Sequence, residues 1–266
     1  MSPKPLPAEV CREELFLQLE AAGETDRGYV RVRNEDAFGV HRDIGLFMVA
    51  DGVSGREAGD VASRMAVDSV GEFLTRVYQT WPRNPRHGGE EPEAAMFAAA
   101  LRHANRRIFR EGREMQAEGR GMTTTFVGAL CSGDQVCVAH VGDSRAYRLR
   151  RGQLIQLTED HSLGNEIGHS RRAEEWLFAG VNPAALTRAL GLFETVEPTV
   201  AVDRPEPGDV LLLCSDGLTN MLDPDEIADL LTHITDVELC ARALVIAANT
   251  AGGGDNTTVV VVRWQA

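Results

Sequence analysis

The sequence contains a single lysine, Lys4, so arginine carries nearly all of its positive charge. This scarcity excludes two routes of phosphate transfer from ATP, because a Walker loop ends in Gly-Lys-Ser/Thr and a protein kinase needs a strand lysine. Lysine and arginine together number 27 against 40 acidic residues, which gives a formal net charge of −13. Nucleic-acid binders usually carry a basic face, so this balance argues against nucleic acid as a partner.

Cysteine and histidine are also scarce, and their spacing excludes several kinds of site. The five cysteines include no Cys-x-x-Cys, so neither a zinc ribbon nor a disulfide framework is indicated. None is followed six positions later by arginine, the spacing of a cysteine-based phosphatase loop. The seven histidines form no His-Glu-x-x-His, which argues against a zinc hydrolase. We expect the cysteines to be buried, inert thiols in a reducing cytoplasm.

Long apolar segments are absent as well. No apolar run reaches about 18 residues, the length of a membrane span, and residues 1–7 have no signal-peptide core. We therefore expect a cytoplasmic protein without membrane contact. No linker divides the chain. We predict a tail with a short amphipathic helix over residues 1–22 and a single domain over residues 23–266.

Apolar runs and turn residues predict strands at the start, middle and end of the chain, with helix pairs between them. The turns at 132–134 and 150–152 predict tight hairpins and hence antiparallel pairing. We expect an α+β fold in which helices cover antiparallel sheets. The predicted strands are 29–32, 37–41, 46–50, 124–131, 135–141, 145–149, 153–157, 210–214 and 257–264. Helices are predicted over 57–77, 93–118, 223–234 and 236–249, with a loop at 81–92 and a mixed, mostly helical stretch at 160–190.

Two predicted strands end in the same way. The apolar run 46–50 leads into Asp51-Gly52, and the run 211–215 leads into Asp216-Gly217. A carboxylate at the rim of a core is costly to desolvate unless it is paired or bound to a cation. Glycine directly after it lets a ligand approach closely. Asp-Gly is also a common turn, so one such site alone proves little, but two matched sites favour a metal centre.

Further acidic residues lie near other predicted strand ends. They are Glu35-Asp36, Asp143 and Asp255, which precedes Asn256. Mg²⁺ and Mn²⁺ prefer oxygen ligands and keep several waters. Aspartates from separate strands would meet that need, although Asp143 is equally consistent with a turn residue before a hairpin.

At these residues the sequence resembles the metal-dependent protein phosphatases, the PPM or type 2C family, and in its brevity a bacterial member. The resemblance runs from about residue 28 to residue 263, and seven motifs follow in the family's order. Each motif is weak alone, and together they are specific. They are Arg31–Phe38, Val49–Gly55 with Gly59, Gly121–Thr125, Val141–Tyr147, Arg188–Gly191, Ser215–Leu218 and Gly254–Thr258.

The resemblance implies an α-β-β-α sandwich, with two antiparallel sheets flanked by helix pairs and the metal site at one end. It implies a serine/threonine phosphatase that hydrolyses phosphoserine and phosphothreonine in proteins, with a serine/threonine kinase as its counterpart. We expect the protein to be a monomer. Two Mn²⁺ or Mg²⁺ ions, with a weaker third position, would activate a water for attack on the phosphoester. No phospho-enzyme would be needed.

The motifs assign metal ligands by resemblance. Asp51 would bridge two metals, and Asp216 and Asp255 would complete one of them. Asp36 and the Gly52 carbonyl would help to hold the other.

Further roles are implied for residues around these ligands. Glu35 would ligate through a water, and Asn256 would orient Asp255 or a metal-bound water. Asp143 would offer, with Asp216, the third metal position. Arg31 would bind the substrate phosphate, because a planar guanidinium suits a phosphate bidentately, although a surface arginine is the alternative.

The sequence departs from the family pattern at several places. Val53 stands where some members have a histidine proposed as the acid for the leaving oxygen, so we assign no such residue. Thr123 replaces a frequent glycine, and we expect residues 123–125 to be a buried strand start. The flap at about 160–187 is atypical over 164–186, where it carries His169, Arg171, Arg172, Trp176 and Phe178. It either selects substrates or packs as plain helix, and Arg188 would anchor it by an ion pair.

Two other functions are weighed against the phosphatase. One is a non-catalytic phosphopeptide-binding module on the same fold, against which the complete set Asp36, Asp51, Asp216 and Asp255 argues. The other is a metal-dependent hydrolase of small phosphate esters or nucleotides, for which no adenine- or ribose-binding signature is present.

Overall fold

The computed structural model describes residues 19–53, 58–80, 92–116, 121–168 and 182–265. Ten strands and six helices follow one another along this part of the chain. The strands are β1 (Leu19–Asp26), β2 (Asp36–His41), β3 (Leu46–Asp51), β4 (Phe126–Ser132), β5 (Gln135–Val141), β6 (Arg145–Arg150), β7 (Gln153–Gln156), β8 (Thr199–Asp203), β9 (Val210–Cys214) and β10 (Thr257–Trp264). The helices are α1 (Gly59–Thr80), α2 (Pro92–Gln116), α3 (Leu163–Gly168), α4 (Asp216–Thr219), α5 (Pro224–His233) and α6 (Val237–Thr250).

The strands form two five-stranded sheets, in which every pairing is antiparallel. One sheet has the order β1-β10-β9-β6-β7, and the other has the order β2-β3-β4-β5-β8. Both predicted hairpins join neighbouring strands, and residues Arg151 and Gly152 of the second turn have φ values of 52° and 77°. Such left-handed turn residues match the twist of the flanking strands.

Three apolar clusters show how the layers pack. The inner faces of the two sheets pack against each other in one cluster, which includes Phe47, Val127 and Leu213. The outer face of the β2–β8 sheet packs against α1 and α2, and the outer face of the other sheet packs against α5 and α6. The predicted α-β-β-α sandwich of two antiparallel sheets is therefore confirmed.

This layering explains the unbroken apolar runs that precede the two Asp-Gly pairs. In β3, Leu46 and Met48 face the helices whereas Phe47 and Val49 face the other sheet. Strand β9 alternates in the same way between the two sides of its own sheet. Because helices cover one face and a second sheet covers the other, neither strand has a polar face. Each strand ends at the edge of this core, where its aspartate follows.

The start of the chain differs from the prediction. The sequence predicts that residues 19–22 belong to a tail with a short helix, but they lie in β1, which pairs with β10 along its whole length. As an edge strand with only Ala21 buried, β1 has no clear alternation of its own. Residues 1–18 lie outside the described part, so the rest of the predicted division into tail and domain stays a prediction.

The predicted strand 29–32 is also wrong. Residues Tyr29 and Val32 are 72% and 85% exposed and lie in a turn region. The N–H of Tyr29 donates to the carbonyl of Gly253 at 2.8 Å, which holds this segment, the 27–35 loop, against the turn before β10. The alternation of apolar and basic residues therefore reflects an exposed loop rather than a half-buried strand.

The flap region contains less helix than predicted. Within 160–190, the described residues contain only α3, and residues 169–181, with His169, Arg171, Arg172, Trp176 and Phe178, lie outside them. Strand β8, which was not predicted, follows and pairs with β5. The described residues contain no helix of the length and apolar character that crossing a membrane requires.

Candidate metal and phosphate site

The predicted acidic residues lie at one end of the sandwich. Asp36 begins β2 and Asp51 ends β3, and the two are directly opposite each other in the antiparallel register. Asp216 begins α4 immediately after β9, and Asp255 lies just before β10. Asp143 follows β5. Because β2 and β3 belong to one sheet and β9 and β10 to the other, the cluster spans the opening between the sheets.

The carboxylates raise one another's pKa. Burial raises the pKa of Asp36 to about 7, and the charges of Asp216 and Asp255 add to the effect. The pKa of Asp51 is raised well above its usual value by burial and by the four other aspartates. Burial and Asp216 raise the pKa of Asp143 to about 6. The pKa of Asp216 is raised by burial and by Asp255. A cluster of this kind favours either protons or bound cations.

One oxygen of the buried Asp36 carboxylate has a hydrogen-bond partner in the described part of the chain, and the other has none. Its Oδ2 accepts a hydrogen bond from Ser215 Oγ at 2.9 Å, whereas its Oδ1 is buried and has no hydrogen-bond partner among the described residues. An unpaired buried carboxylate oxygen is costly, and a hard divalent cation is the natural ligand for it. Ser215 also accepts from the N–H of Thr258. Sequence reasoning missed this role of Ser215, for which a hydroxyl at the end of a buried strand was the only signal.

The backbone of Asp51 is held by two threonines. Its carbonyl accepts from the N–H of Thr125 and from Thr124 Oγ1, each at 2.8 Å, and its N–H donates to Thr125 Oγ1 at 3.1 Å. Thr125 Oγ1 lies 2.6 Å from Ser144 Oγ, next to Asp143. Both threonines are buried and precede β4, which begins at Phe126 rather than at Thr124. They therefore hold the backbone of Asp51 in position.

Glycine follows both central aspartates because the backbone is crowded there. A Cβ on Gly52 would lie 2.3 Å from the Gly59 carbonyl oxygen, and a Cβ on Gly217 would lie 1.9 Å from the Asn256 carbonyl oxygen. Both neighbouring atoms are backbone, which cannot move aside cheaply. The close approach after Asp216 brings α4 against the start of β10, and so brings Asp216 near Asp255.

Asn256 fixes the 27–35 loop to this end of the sandwich. Its Nδ2 donates to the carbonyls of Arg27 and Arg33, and its Oδ1 accepts from the N–H of Glu35, all at 2.9 Å. The prediction that Asn256 orients Asp255 finds support only in its backbone N–H, which donates to Asp255 Oδ1 at 2.8 Å. The side chain of Asn256 instead positions the loop that carries Arg31.

Arg31 lies at the mouth of the cluster. Its Nη2 donates to Asp255 Oδ2 at 2.5 Å, and both side chains are partly exposed. Glu35 lies beside the Asp-Gly turn: its carbonyl accepts from the N–H of Gly52 at 3.1 Å and from Ser63 Oγ at 2.6 Å. The guanidinium of Arg31 thus lies at the edge of the site, where it is paired with Asp255, one of the predicted metal ligands.

The acidic side chains in the described part of the chain do not converge as a group of metal ligands. Across the described ranges, no set of three or more Asp, Glu, His or Cys side chains has the arrangement that holds a metal ion. The Asp255 carboxylate is held in an ion pair with Arg31. The site therefore offers several carboxylate oxygens, the donors that a hard divalent cation prefers.

The flap starts beside Asp143, where Arg145 holds its first residues. Arg145 donates to both carboxylate oxygens of Asp160, at 2.9 and 2.7 Å. Arg188 contacts His161 and Thr199 and has no ion pair within the described residues. Because residues 169–181 of the flap lie outside that part of the chain, the ion pair expected for Arg188 stays a prediction.

His161 is buried behind Asp143 as a neutral imidazole. Its Nδ1 accepts from the N–H of Gly142 at 3.1 Å, so Nε2 carries the proton and faces Thr199 Oγ1 at 2.9 Å. Its ring stacks on that of His140, with 4.5 Å between the ring centroids. Burial, His140 and Arg188 lower the pKa of His161 to about 3.

The four cysteines in the described part of the chain offer no alternative nucleophile. Cys131, Cys137, Cys214 and Cys240 are free and buried. Burial raises the pKa of Cys131 and Cys214 to about 12 and that of Cys240 to about 11. Thiols with such a raised pKa are inert near neutral pH. Cys11 lies outside the described residues.

Comparison with known protein families gives one consistent result. The family model described as protein phosphatase 2C matches residues 29–244. The serine/threonine phosphatase Stp of Listeria welshimeri is 36% identical over 249 residues, which are 92% of this chain and 96% of that protein.

Solved structures agree in fold. The catalytic domain of the serine/threonine protein phosphatase PstP, solved in complex with two manganese ions, is 32% identical and superposes with a TM-score of 0.73. The match covers 93% of this chain and 99% of that one. The serine/threonine phosphatase Stp1 from Staphylococcus aureus is 31% identical, with a TM-score of 0.77 and coverage of 93% and 96%.

Proposed function

Because the chain belongs to the protein phosphatase 2C family, we propose that it is a metal-dependent serine/threonine protein phosphatase. The observation that carries this conclusion is the cluster of partly buried aspartates from both sheets, with their raised pKa values and the unpaired Asp36 Oδ1. The relative PstP, crystallised with two manganese ions, supports the metal requirement. Cysteine chemistry and ATP-dependent phosphate transfer lack the residues that they need.

The proposed metal ligands are Asp36, Asp51, Asp216, Asp255 and the carbonyl of Gly52, with Mn²⁺ or Mg²⁺ as the cation. The acidic donor set supports this assignment, since these hard cations prefer oxygen. When bound, such cations supply Lewis acidity, which makes water a competent nucleophile near neutral pH and offsets charge on a phosphoryl group.

Residues around these ligands have proposed supporting roles. Asp143, beside Asp216, remains the proposal for a weaker third metal position, and Glu35 is proposed to act through a water.

Arg31 is proposed to bind the substrate phosphate. In the described arrangement it is paired with Asp255. If Asp255 turns to a cation, the guanidinium is released next to the place where a phosphoryl group would bind. A planar fork of donors then holds two phosphate oxygens and orients the phosphorus toward the attacking water. No residue is assigned as the acid for the leaving oxygen, because Val53 has no proton to give.

The substrates are phosphoproteins, as for the named phosphatases of the family. We further propose a serine/threonine kinase as the functional counterpart, a monomeric state and a cytoplasmic location, the last supported by the four buried free thiols.

Turnover of p-nitrophenyl phosphate and of phosphoserine, phosphothreonine and phosphotyrosine peptides tests the proposal. We expect Mn²⁺-dependent hydrolysis that EDTA abolishes, with the two hydroxy-amino-acid phosphates preferred. Asp216→Asn should remove this activity, whereas Asp229→Asn, an exposed position on α5, should not. Faster turnover of nucleotides than of any phosphopeptide would favour the small-ester alternative. Binding of phosphopeptides without turnover would favour the non-catalytic module.

A further inference from the structure

A second cleft lies between α2 and residues 194–197. Its volume is about 500 Å³. Four arginines of α2 and two glutamates dominate its lining, which also includes aromatic and polar groups. The lining residues on which the following steps depend are Arg102, Asn105, Arg106, Phe109, Arg110 and Arg113. We refer to this feature as the arginine cleft.

The arginines form one stripe along the helix. Arg102, Arg106 and Arg110 follow one another at intervals of four, and Arg113 is three positions further on. Residues at these intervals are neighbours on a helix surface, and like charges there destabilise the helix by about 0.2–0.5 kcal/mol per pair. This concentration of positive charge occurs in a chain whose net charge is −13. An anion along the stripe would offset the repulsion.

The cleft is only partly neutralised by its own acids. Arg102 donates to Glu197 Oε1 at 2.6 Å, and Glu194 is the second glutamate of the lining. In the part of the chain that the structure describes, no ion pair is recorded for Arg106, Arg110 or Arg113, and all three are exposed. Four arginines against two glutamates leave an excess of positive charge for a ligand.

Hydrogen bonds connect the floor of the cleft to Asp51. Asn105 is buried; its Oδ1 accepts from the N–H of Gly191 at 2.8 Å, and its Nδ2 donates to the carbonyls of Phe193 and Glu194, each at 3.1 Å. The preceding residue, Leu190, exchanges backbone hydrogen bonds with Thr124, whose Oγ1 donates to the Asp51 carbonyl. A continuous series of hydrogen bonds and backbone thus links the cleft to the aspartate cluster.

We propose that the arginine cleft docks an acidic segment of the phosphoprotein substrate, an inference that rests on the function proposed above. The stripe from Arg102 to Arg113 is about 16 Å long at 1.5 Å per residue. An extended segment of about five residues has that length at 3.3 Å per residue. Positive charges that repeat at each turn of the helix suit an extended peptide better than a compact ligand. Phe109 in the lining and Phe193, which is 62% exposed, offer contacts for apolar side chains of such a segment.

The test compares phosphopeptides that differ only in a tail. Each carries one phosphothreonine, a glycine-serine linker of graded length and a five-residue tail that is either aspartate-rich or neutral. We expect KM about fivefold lower for an acidic tail than for the neutral tail at one linker length, with kcat unchanged, from two or three exposed charge contacts. This preference should fall at high salt, because the contacts are exposed. Equal KM values for both tails at every linker length would overturn the inference.

Charge variants separate the cleft from the reaction site. Arg106→Gln/Arg110→Gln should lose the tail preference while it hydrolyses p-nitrophenyl phosphate normally, because neither residue belongs to the proposed catalytic groups. Glu197→Gln should strengthen the preference, since it frees Arg102. The matched control Arg204→Gln/Arg242→Gln removes two arginines elsewhere and should behave as the wild type. An unchanged preference in the cleft variant would contradict the inference.

Binding without turnover keeps the two proposals distinguishable. Fluorescence anisotropy of a labelled acidic peptide that lacks the phosphothreonine measures the cleft directly. If the peptide binds the wild type but not the Arg106→Gln/Arg110→Gln variant, the cleft assignment stands even where no metal-dependent turnover is found. If turnover is normal and the peptide does not bind, the docking site is refuted and the phosphatase assignment remains.

Discussion

Replacement of Asp36 by asparagine should stabilise the metal-free protein and weaken its response to Mn²⁺. The folded state raises the pKa of Asp36 from 3.8 to about 7. Above pH 7 the folded protein therefore holds a carboxylate that would ionise more easily in the unfolded chain. At 1.36 kcal/mol per pKa unit, ionised Asp36 lowers the free energy of unfolding by at most about 4 kcal/mol.

The expected net gain is smaller, because the new amide brings donors of its own. Leaving a buried polar group unpaired costs about 1–3 kcal/mol, so we expect Asp36→Asn to gain about 1–3 kcal/mol of unfolding free energy at pH 8. The sign follows from linkage: a raised carboxyl pKa lowers stability as pH rises from about 4 to 7. The gain should therefore be small at pH 4 and should level off above pH 7.

Urea unfolding in EDTA at several pH values measures this difference, and the same series with Mn²⁺ measures the metal response. A ligand that binds only the folded state stabilises it in proportion to the logarithm of its concentration over Kd. The wild type should gain from Mn²⁺ and the variant should gain much less. Asp43→Asn, an exposed position in the β2–β3 turn, is the control. A variant that is less stable than the wild type at pH 8 in EDTA, or that responds fully to Mn²⁺, would refute the reasoning.

Three further predictions concern the support of the site. Asn256→Ala removes three side-chain hydrogen bonds to the 27–35 loop. Urea unfolding should show that the free energy of unfolding falls by about 2–4 kcal/mol, and KM for p-nitrophenyl phosphate should rise. If neither quantity changes, Asn256 does not have this role. Gly217→Ala places a Cβ 1.9 Å from a backbone oxygen. We therefore expect the free energy of unfolding to fall by about 3 kcal/mol and phosphatase activity to be lost. A variant that is fully active and as stable as the wild type would contradict this close contact. His161 has a pKa lowered to about 3, so it makes stability fall as pH drops below about 6.5, by at most about 1.4 kcal/mol per unit. The difference between wild type and His161→Gln in acid titrations should follow this slope, and parallel curves would exclude it.

The central strands could be predicted from the sequence because their environment leaves a strong pattern. Strands β3 and β9 are covered on both faces, so each appears as an unbroken apolar run that ends in Asp-Gly. The strands β1 and β8 lie at sheet edges and have few fully buried residues. Their hydrogen-bonded neighbours, which are distant in sequence, define them more than their own side chains do.

In the site as well, the sequence predicts residues that a local pattern marks, but not contacts between residues that are far apart in the chain. Residues at strand ends, such as Asp51 and Asp216, follow from the strand pattern and the family motifs. The role of Asn256 depends on carbonyls more than 200 positions away, and the pairing of Arg31 with Asp255 depends on a loop that the sequence suggested to be a strand. The arginine cleft could not be foreseen either, because its second wall is formed by residues 194–197, about 90 positions from Arg102.

The measurement that tests the account most directly is the Mn²⁺ stoichiometry of the purified protein, by isothermal titration calorimetry and elemental analysis, for the wild type and Asp51→Asn. If the aspartates of both sheets hold two cations in common, the wild type should bind about two Mn²⁺ ions tightly, as in the PstP complex. Asp51→Asn should lose tight binding and remain folded. No tight Mn²⁺ binding to the wild type, or equal binding to the variant, would contradict the account.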